Sequence, residues 1–175
     1  LGSGKEFGCK FTYKVQDQAG GIAQALSLAR NFSNHDRLAV ILGDNIFQSN
    51  LKKYASQFIK QPAGARLLLK KVPDPNRFGV AQLDGDKVIG IEEKPQKPKS
   101  DYAVTGIYFY DHKVFDIINT LKPSARGEYE VTDINNAYIQ KGQLYYDIID
   151  GWWTDAGTFK SLERANKLVY QEPPK

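Results

Sequence analysis

Apolar positions along the chain fall into three recognisable patterns. The run Leu38-Ala39-Val40-Ile41-Leu42 is apolar without polar alternation, which suits a strand buried on both faces of a helix-covered parallel sheet. Leu51, Tyr54, Ala55, Phe58 and Ile59 recur at helical spacing behind the capping candidates Ser49 and Asn50, and predict an amphipathic helix. Ile22, Ala25, Leu26 and Ala29 predict another, entered at Gly20-Gly21; Val131, Ile134 and Tyr138 mark one that Gly142 stops. A short helix is expected over 114–121. A last one starts near Thr158 and carries Leu162, Ala165 and Val169 on one face.

Strands are expected over 11–15, 65–72, 104–110 and 144–149. Two more, 78–83 and 87–91, flank Asp84-Gly85-Asp86, a hairpin signal. Pro73-Asp74-Pro75 and the Pro- and Lys-rich stretch 94–100 read as loops. Gly2-Ser3-Gly4-Lys5 carries some phosphate-loop residues, but no strand precedes it and Glu6-Phe7-Gly8 breaks the continuation, so it reads as a turn. Strands alternating with helices predict a single α/β domain over 1–175. Its sheet is expected to be Rossmann-like and mixed, mainly parallel, with helices on both faces and 38–42 at its centre.

The net charge of +4 is mild, and the lysines are dispersed apart from Lys94, Lys97 and Lys99. That favours anionic ligands weakly and argues against nucleic acid as a partner. No apolar run reaches membrane-spanning length. The single cysteine, Cys9, excludes an internal disulfide, fits a reducing cytoplasmic setting, and is expected as a small buried hydrophobe. His35 and His112 fall in loops without metal-ligand spacing and read as surface residues. Methionine is absent even at position 1, so a fragment or processed chain is expected.

Two carboxylates stand out. The run 38–42 ends at Gly43-Asp44-Asn45, and ligands of open α/β sheets sit just beyond the carboxyl ends of strands. Asp155 occupies a similar setting after Trp152-Trp153-Thr154. A plain turn at Asp44 and a helix cap at Asp155 remain alternative readings of each residue alone.

Gly43-Asp44-Asn45, Glu92-Glu93-Lys94-Pro95, Tyr102-Ala103-Val104-Thr105-Gly106 and Trp153-Thr154-Asp155-Ala156-Gly157-Thr158 occur in this order, together with the stretches 16–25 and 125–133. In that combination the chain resembles the sugar-1-phosphate nucleotidyltransferases, the glucose-1-phosphate thymidylyltransferases among them, from Leu1 to about Val169. The resemblance implies a nucleotide-diphospho-sugar transferase fold and transfer from dTTP to glucose-1-phosphate. The products would be pyrophosphate and dTDP-glucose, a precursor for rhamnose and cell-surface polysaccharides. It implies Mg2+ held by Asp44 and Asp155, with Asp44, Lys94 and Arg126 as catalytic residues. Lys94 would meet the sugar phosphate, Arg126 would add a second phosphate contact, and Glu93 would accept from sugar hydroxyls. Gln16 would complement the imide edge of the base, Gly21 would let backbone approach it, and Leu42, Gly79 and Val104 would line the sugar pocket.

Plainer readings stand beside these. Glu93 and Lys94 could be a solvated pair, Arg126 a surface arginine bracing Glu128 or Glu130, and Gly21 an ordinary helix entry. The family commonly has Tyr where this chain has Phe78, which removes one hydroxyl contact. Trp152 and Trp153 are expected to pack beneath the Asp155 loop. The family's opening strand and glycine-rich, Arg-bearing loop have no counterpart here, so this stretch alone is not expected to turn over. A homo-oligomer, dimer or tetramer, is implied by the resemblance. The competing functions are a non-catalytic sugar-nucleotide-binding regulatory domain and a uridylyltransferase relative.

Overall fold

A computed structural model describes residues 1–174; Lys175, the last residue of the expected domain, lies outside them. Six strands form one mixed sheet: β1 (Leu38–Ile41), β3 (Ala65–Lys71), β4 (Gly79–Asp84), β5 (Lys87–Glu93), β6 (Tyr102–Tyr110) and β7 (Leu144–Ile148). β2 (Asn45–Phe47) and β8 (Trp153–Asp155) make a separate two-stranded ribbon. The helices are α1 (Ile22–Ser27), α2 (Arg30–Ser33), α3 (Lys52–Lys60), α4 (Val114–Ile118), α5 (Val131–Gln140) and α6 (Phe159–Gln171).

The strand order is β5-β4-β6-β3-β7, and the centre is β6, not the run at 38–42. β6 is buried along nearly its whole length. β3 pairs along one of its edges, while β4 and β1 share the other, end to end: Val80 sits opposite Ala103, and Leu38–Ile41 opposite 107–110. β1 has no second partner among the described residues, and only alternate side chains turn inward, leaving Ile41 48% exposed. The α/β class and mixed sheet are as expected. Mainly parallel pairing is not found among the described residues: only β3 with β7 runs parallel. An apolar run reports burial, not the direction of its neighbour.

Helices cover both faces, as expected. On one, α1, α4 and α5 pack Leu26, Val114, Phe115, Val131, Ile134 and Tyr138 against Leu67, Leu69, Tyr108 and Tyr110. On the other, Tyr54 and Phe58 of α3 meet Leu68, Ile107, Phe109 and Trp153. Each fully buried leucine of β3 contributes about 2–3 kcal/mol of apolar burial. The N-cap of α3 is Leu51, one residue past the expected Asn50, whose Oδ1 still accepts from the Lys52 N–H at 2.8 Å. The β4–β5 hairpin turns at Gly85, whose φ of +58° suits glycine.

Residues 11–15 form no strand, because no neighbour pairs with them, and alternation over five residues cannot supply one. Cys9 lies in the same irregular segment and is exposed rather than buried. The helix expected over 22–29 is broken at Ala29 into α1 and α2.

One irregularity of β6 positions the candidate site. The register between β3 and β6 jumps from Leu67–Tyr108 to Leu69–Val104, so 105–107 bulge out of the ladder. The Thr105 hydroxyl donates to the Leu68 carbonyl in place of a backbone group. Gly106 is thereby free to bind elsewhere: its carbonyl accepts from the Leu42 N–H and its N–H donates to Asn45 Oδ1, each at 2.9 Å. The bulge ties the sheet to the Asp44 loop.

Candidate active site

The β2–β8 ribbon joins the two carboxylates singled out above. Asn45 pairs with Asp155 across it, and the Ala156 N–H donates to the Asp44 carbonyl at 2.7 Å. Both side chains flank Gly157. A Cβ built there would meet Asp44 Oδ2 at 3.1 Å and Asp155 Oδ2 at 3.8 Å. The missing side chain leaves a cradle between two carboxylates, and hard oxygen donors of this kind suit a divalent cation that takes its remaining ligands from water and phosphate.

Asn45 orients this pair. Its Oδ1 accepts from Gly106 N–H and from Trp153 Nε1 at 2.7 Å, and its Nδ2 donates to Asp44 Oδ1 at 2.9 Å. Trp153 is buried under the loop against Phe78, ring centres 5.2 Å apart, as expected. Trp152 is not beneath it; its Nε1 donates to the Glu172 carbonyl instead.

The carboxylates open onto a cleft of about 350 Å³. Leu42, Asp44, Asn45, Arg77, Glu93 and Asp155 are among its lining residues. Seven of the residues predicted from sequence, Leu42, Asp44, Gly79, Glu93, Lys94, Val104 and Asp155, therefore line one cavity. Lys94 takes a left-handed backbone, φ +44°, between Glu93 and the buried Pro95. Such a conformation is strained for a residue with a side chain and is typical of positions held for function. Glu93 is fixed by the Thr132 hydroxyl, which donates to Oε2 at 2.6 Å.

The three others lie outside the lining. Gln16 donates to Gln24 Oε1 and to the Gly21 carbonyl. Gly21, φ +95°, is approached by the chain's own backbone, since an added Cβ would lie 2.5 Å from the Tyr129 carbonyl oxygen. Arg126 is taken up by Glu130, with Nη2 2.9 and 2.8 Å from its oxygens, while Glu93 stands 3.6 Å away. The Glu130 carboxylate, with its acidic neighbours Glu128 and Glu93, raises the Arg126 pKa. The bracing reading of Arg126 is the one the geometry displays, although Glu93 links it to the cleft.

Besides Asn45 and Thr132, three further polar residues of the cleft were not singled out in the sequence. Arg77 forks between Asp74 and Asp155. Tyr108 is buried, and burial together with the negative Glu93 and Asp44 lifts its phenol well above the ordinary value. Asn135 accepts from the Tyr110 hydroxyl at 2.6 Å, yet its buried Nδ2 has no partner among the described residues. Arg77 fell between the loop at 73–75 and the expected strand at 78–83, and Tyr108 and Asn135 fell within expected apolar elements, so no sequence signal set them apart.

No set of three or more His, Cys, Asp or Glu side chains among the described residues could hold a metal by itself. No helix among them is long and apolar enough to cross a membrane.

Comparisons with known proteins agree with one another. A family model described as nucleotidyl transferase matches residues 1–172. Glucose-1-phosphate thymidylyltransferase of Neisseria meningitidis serogroup A is 42% identical over 173 residues, covering 97% of this chain and 60% of the relative. The protein of that name from Mycolicibacterium smegmatis is 40% identical over 172 residues, with the same coverage. The chain thus spans about three fifths of the length of the curated relatives it matches. A crystal structure described as a glucose-1-phosphate thymidylyltransferase from Bacillus anthracis in complex with a sucrose superposes with a TM-score of 0.92. It is 61% identical, and the match covers 97% of this chain and 69% of that one. UDP-glucose pyrophosphorylase complexed with UDP-glucose superposes at 0.84 with 23% identity, over 93% of this chain and 67% of that one, a likeness of fold alone.

Proposed function

Because the chain belongs to the nucleotidyl transferase family, we propose that its cleft serves transfer of a thymidylyl group from dTTP to glucose-1-phosphate. A sugar-phosphate oxygen attacks the α-phosphorus, the new P–O bond forms, and the bond to the β-phosphate oxygen breaks with its electron pair leaving on pyrophosphate. Such transfers depend on in-line positioning and on neutralising charge as it builds, more than on a covalent or general-base residue. The observation that carries the reading is the convergence of Asp44 and Asp155 on Gly157, in one cleft with Glu93 and Lys94.

Asp44 and Asp155 would hold Mg2+, which when bound supplies positive charge to the triphosphate. Asn45 keeps the Asp44 carboxylate turned into the cleft. Lys94 presents a point charge at the cleft wall for the sugar phosphate. Glu93, pinned by Thr132, leaves Oε1 to accept from sugar hydroxyls. Leu42 and Val104 exclude water from the sugar face.

The test is pyrophosphate release from dTTP and glucose-1-phosphate by the protein that carries this chain. Asp155→Ala should nearly abolish Mg2+-dependent turnover while leaving the fold intact; activity like wild type would remove the metal assignment. Running UTP beside dTTP decides the base, and far better use of UTP overturns the thymidylyl reading in favour of a uridylyltransferase. Wild-type protein that binds glucose-1-phosphate but releases no pyrophosphate would support a non-catalytic domain.

A further inference from the structure

Arg77 is the basic side chain that touches a carboxylate of the Gly157 cradle. Its Nη2 donates to both oxygens of Asp155, at 3.2 and 3.0 Å, and its Nη1 to Asp74 Oδ2 at 3.0 Å. The Asp155 side chain is 16% exposed and that of Arg77 39%, so the pair sits at the cleft mouth, only partly screened by water. Both carboxylates raise the Arg77 pKa, and the group stays cationic at any working pH.

The anchoring is local and cheap in chain entropy. Asp74 precedes and Arg77 ends a single 3-10 turn, Pro75–Arg77, which Pro75 starts and whose last N–H reaches back towards the Asp74 carbonyl. Asp74 holds one arm of the guanidinium whatever the other does. Arg77 also borders two cavities: the cleft itself, and a neighbouring one with Lys160 and Arg164. A guanidinium displaced from Asp155 therefore has open space and keeps one partner.

We propose that Arg77 is the resident counter-cation of Asp155, a positioning residue that a divalent ion must displace to be held by Asp44 and Asp155. This rests on the reading of those carboxylates as cation ligands. The guanidinium neutralises Asp155 while the cradle holds no ion, and keeps the carboxylate pointing inward. It also competes with the ion, so cation binding by the substrate-free protein is weaker than the bare carboxylates would allow. An arriving anionic phosphate relieves the competition, because it can accept from the freed Nη2 while supplying ligand oxygens to the ion. Arg77 in this way couples cation binding to substrate binding.

The experiment titrates Mn2+ alone, without nucleotide, into the protein, Arg77→Gln, Arg77→Lys and Asp44→Asn, following free Mn2+ by its paramagnetic resonance signal. Arg77→Gln should bind about fivefold more tightly, the change expected when a partly exposed ion pair no longer competes. Arg77→Lys should fall between, since one ammonium cannot fork two carboxylates. Asp44→Asn should lose the site. A support role for Arg77 predicts the opposite, looser binding as Asp155 drifts. Equal or weaker Mn2+ binding by Arg77→Gln, with wild type binding and Asp44→Asn not, overturns this inference and leaves the proposed function standing. No Mn2+ binding by wild type and Arg77→Gln alike overturns this inference, and no binding even after dTTP is added overturns the proposed function as well. Should thermal melts show Arg77→Gln unfolded, Asp74→Asn replaces it. There the displaced guanidinium no longer keeps a partner, so Asp74→Asn should weaken Mn2+ binding; unchanged or tighter binding counts against the proposal.

Discussion

Truncating Asn45 to alanine should unpin the two-stranded ribbon from the sheet, and the size of the effect follows from what it leaves behind. Two donors lose their acceptor: the N–H of Gly106 in the β6 bulge and the indole N–H of Trp153, which is 4% exposed. Leaving a buried donor unsatisfied costs about 1–3 kcal/mol, so Asn45→Ala should destabilise by roughly 2–5 kcal/mol. In a domain of this size that lowers the melting temperature by roughly 5–15 °C. Gly106→Ala attacks the same contact from the other side. Its Cβ would overlap the Asn45 amide, with Asn45 Cγ only 2.7 Å away, at an overpacking cost of about 1–3 kcal/mol. The two changes cannot be independent. With Asn45 truncated, the methyl that Gly106→Ala adds has room, so the double variant should be more stable than the sum of the singles by most of that overpacking cost. The assay is urea unfolding of the four proteins, closing a double-mutant cycle. Additivity within about 0.5 kcal/mol would refute the pinning of the Asp44 loop by Asn45 and Gly106.

Lys94→Gly separates strain from function: relief of the left-handed backbone should raise stability by about 0.5–1 kcal/mol, while loss of the charge weakens glucose-1-phosphate binding about tenfold or more. Thermal melts and calorimetry read the two, and a lower melting temperature rejects the strain. Thr132→Val frees Glu93 and should weaken the same ligand severalfold without affecting Mn2+ binding; unchanged affinity would show that Glu93 needs no brace. Tyr108, Tyr110 and Tyr138 stack in one row, 5.9 Å between successive rings, and burial lifts all three phenols above their ordinary 10.0. Their folded pKa values exceed the unfolded one, so their contribution to stability is complete below about pH 10 and is lost as pH rises above it. Each phenol should remove about 1.4 kcal/mol per pH unit there, and ultraviolet titration should show these three ionising only as the chain unfolds. Reversible ionisation of all ten tyrosines in folded protein near pH 10 would contradict that burial.

Where an element's own side chains dictate its environment, the sequence was readable. α3 shows helical periodicity because one face meets the sheet, and the β4–β5 hairpin shows itself through Asp84-Gly85-Asp86 because only a glycine turns there without strain. β1 misled for a physical reason. Five apolar residues say that a strand is partly covered, but neighbour direction and the number of paired edges are properties of the partner chain segments. β6, which does occupy the centre, carries Thr105 and Gly106 in its middle, and the glycine weakens a strand pattern on its own. Both are there because the bulge needs them: Thr105 to replace a backbone donor, Gly106 to let the Asn45 amide approach.

The site is unevenly legible for a related physical cause. Asp44, Glu93, Lys94 and Asp155 stand at or just past strand ends and in motifs, so chemistry and position could be read together. Asn45, Arg77 and Asn135 act through what they touch across long gaps in sequence: Asn45 reaches residues 61 and 108 positions away, and Arg77 one 78 positions away. Polar partnerships of that kind leave no periodicity, because a hydrogen bond constrains one atom pair and not the spacing of residues along either segment. Arg77 makes the point most sharply. In sequence it closes a proline-rich turn, whereas in the fold that turn is what holds its guanidinium on Asp155. The turn's rigidity and the carboxylate's occupancy are then one device, and loosening either at Asp74 or at Arg77 should register in how firmly the cradle binds a cation.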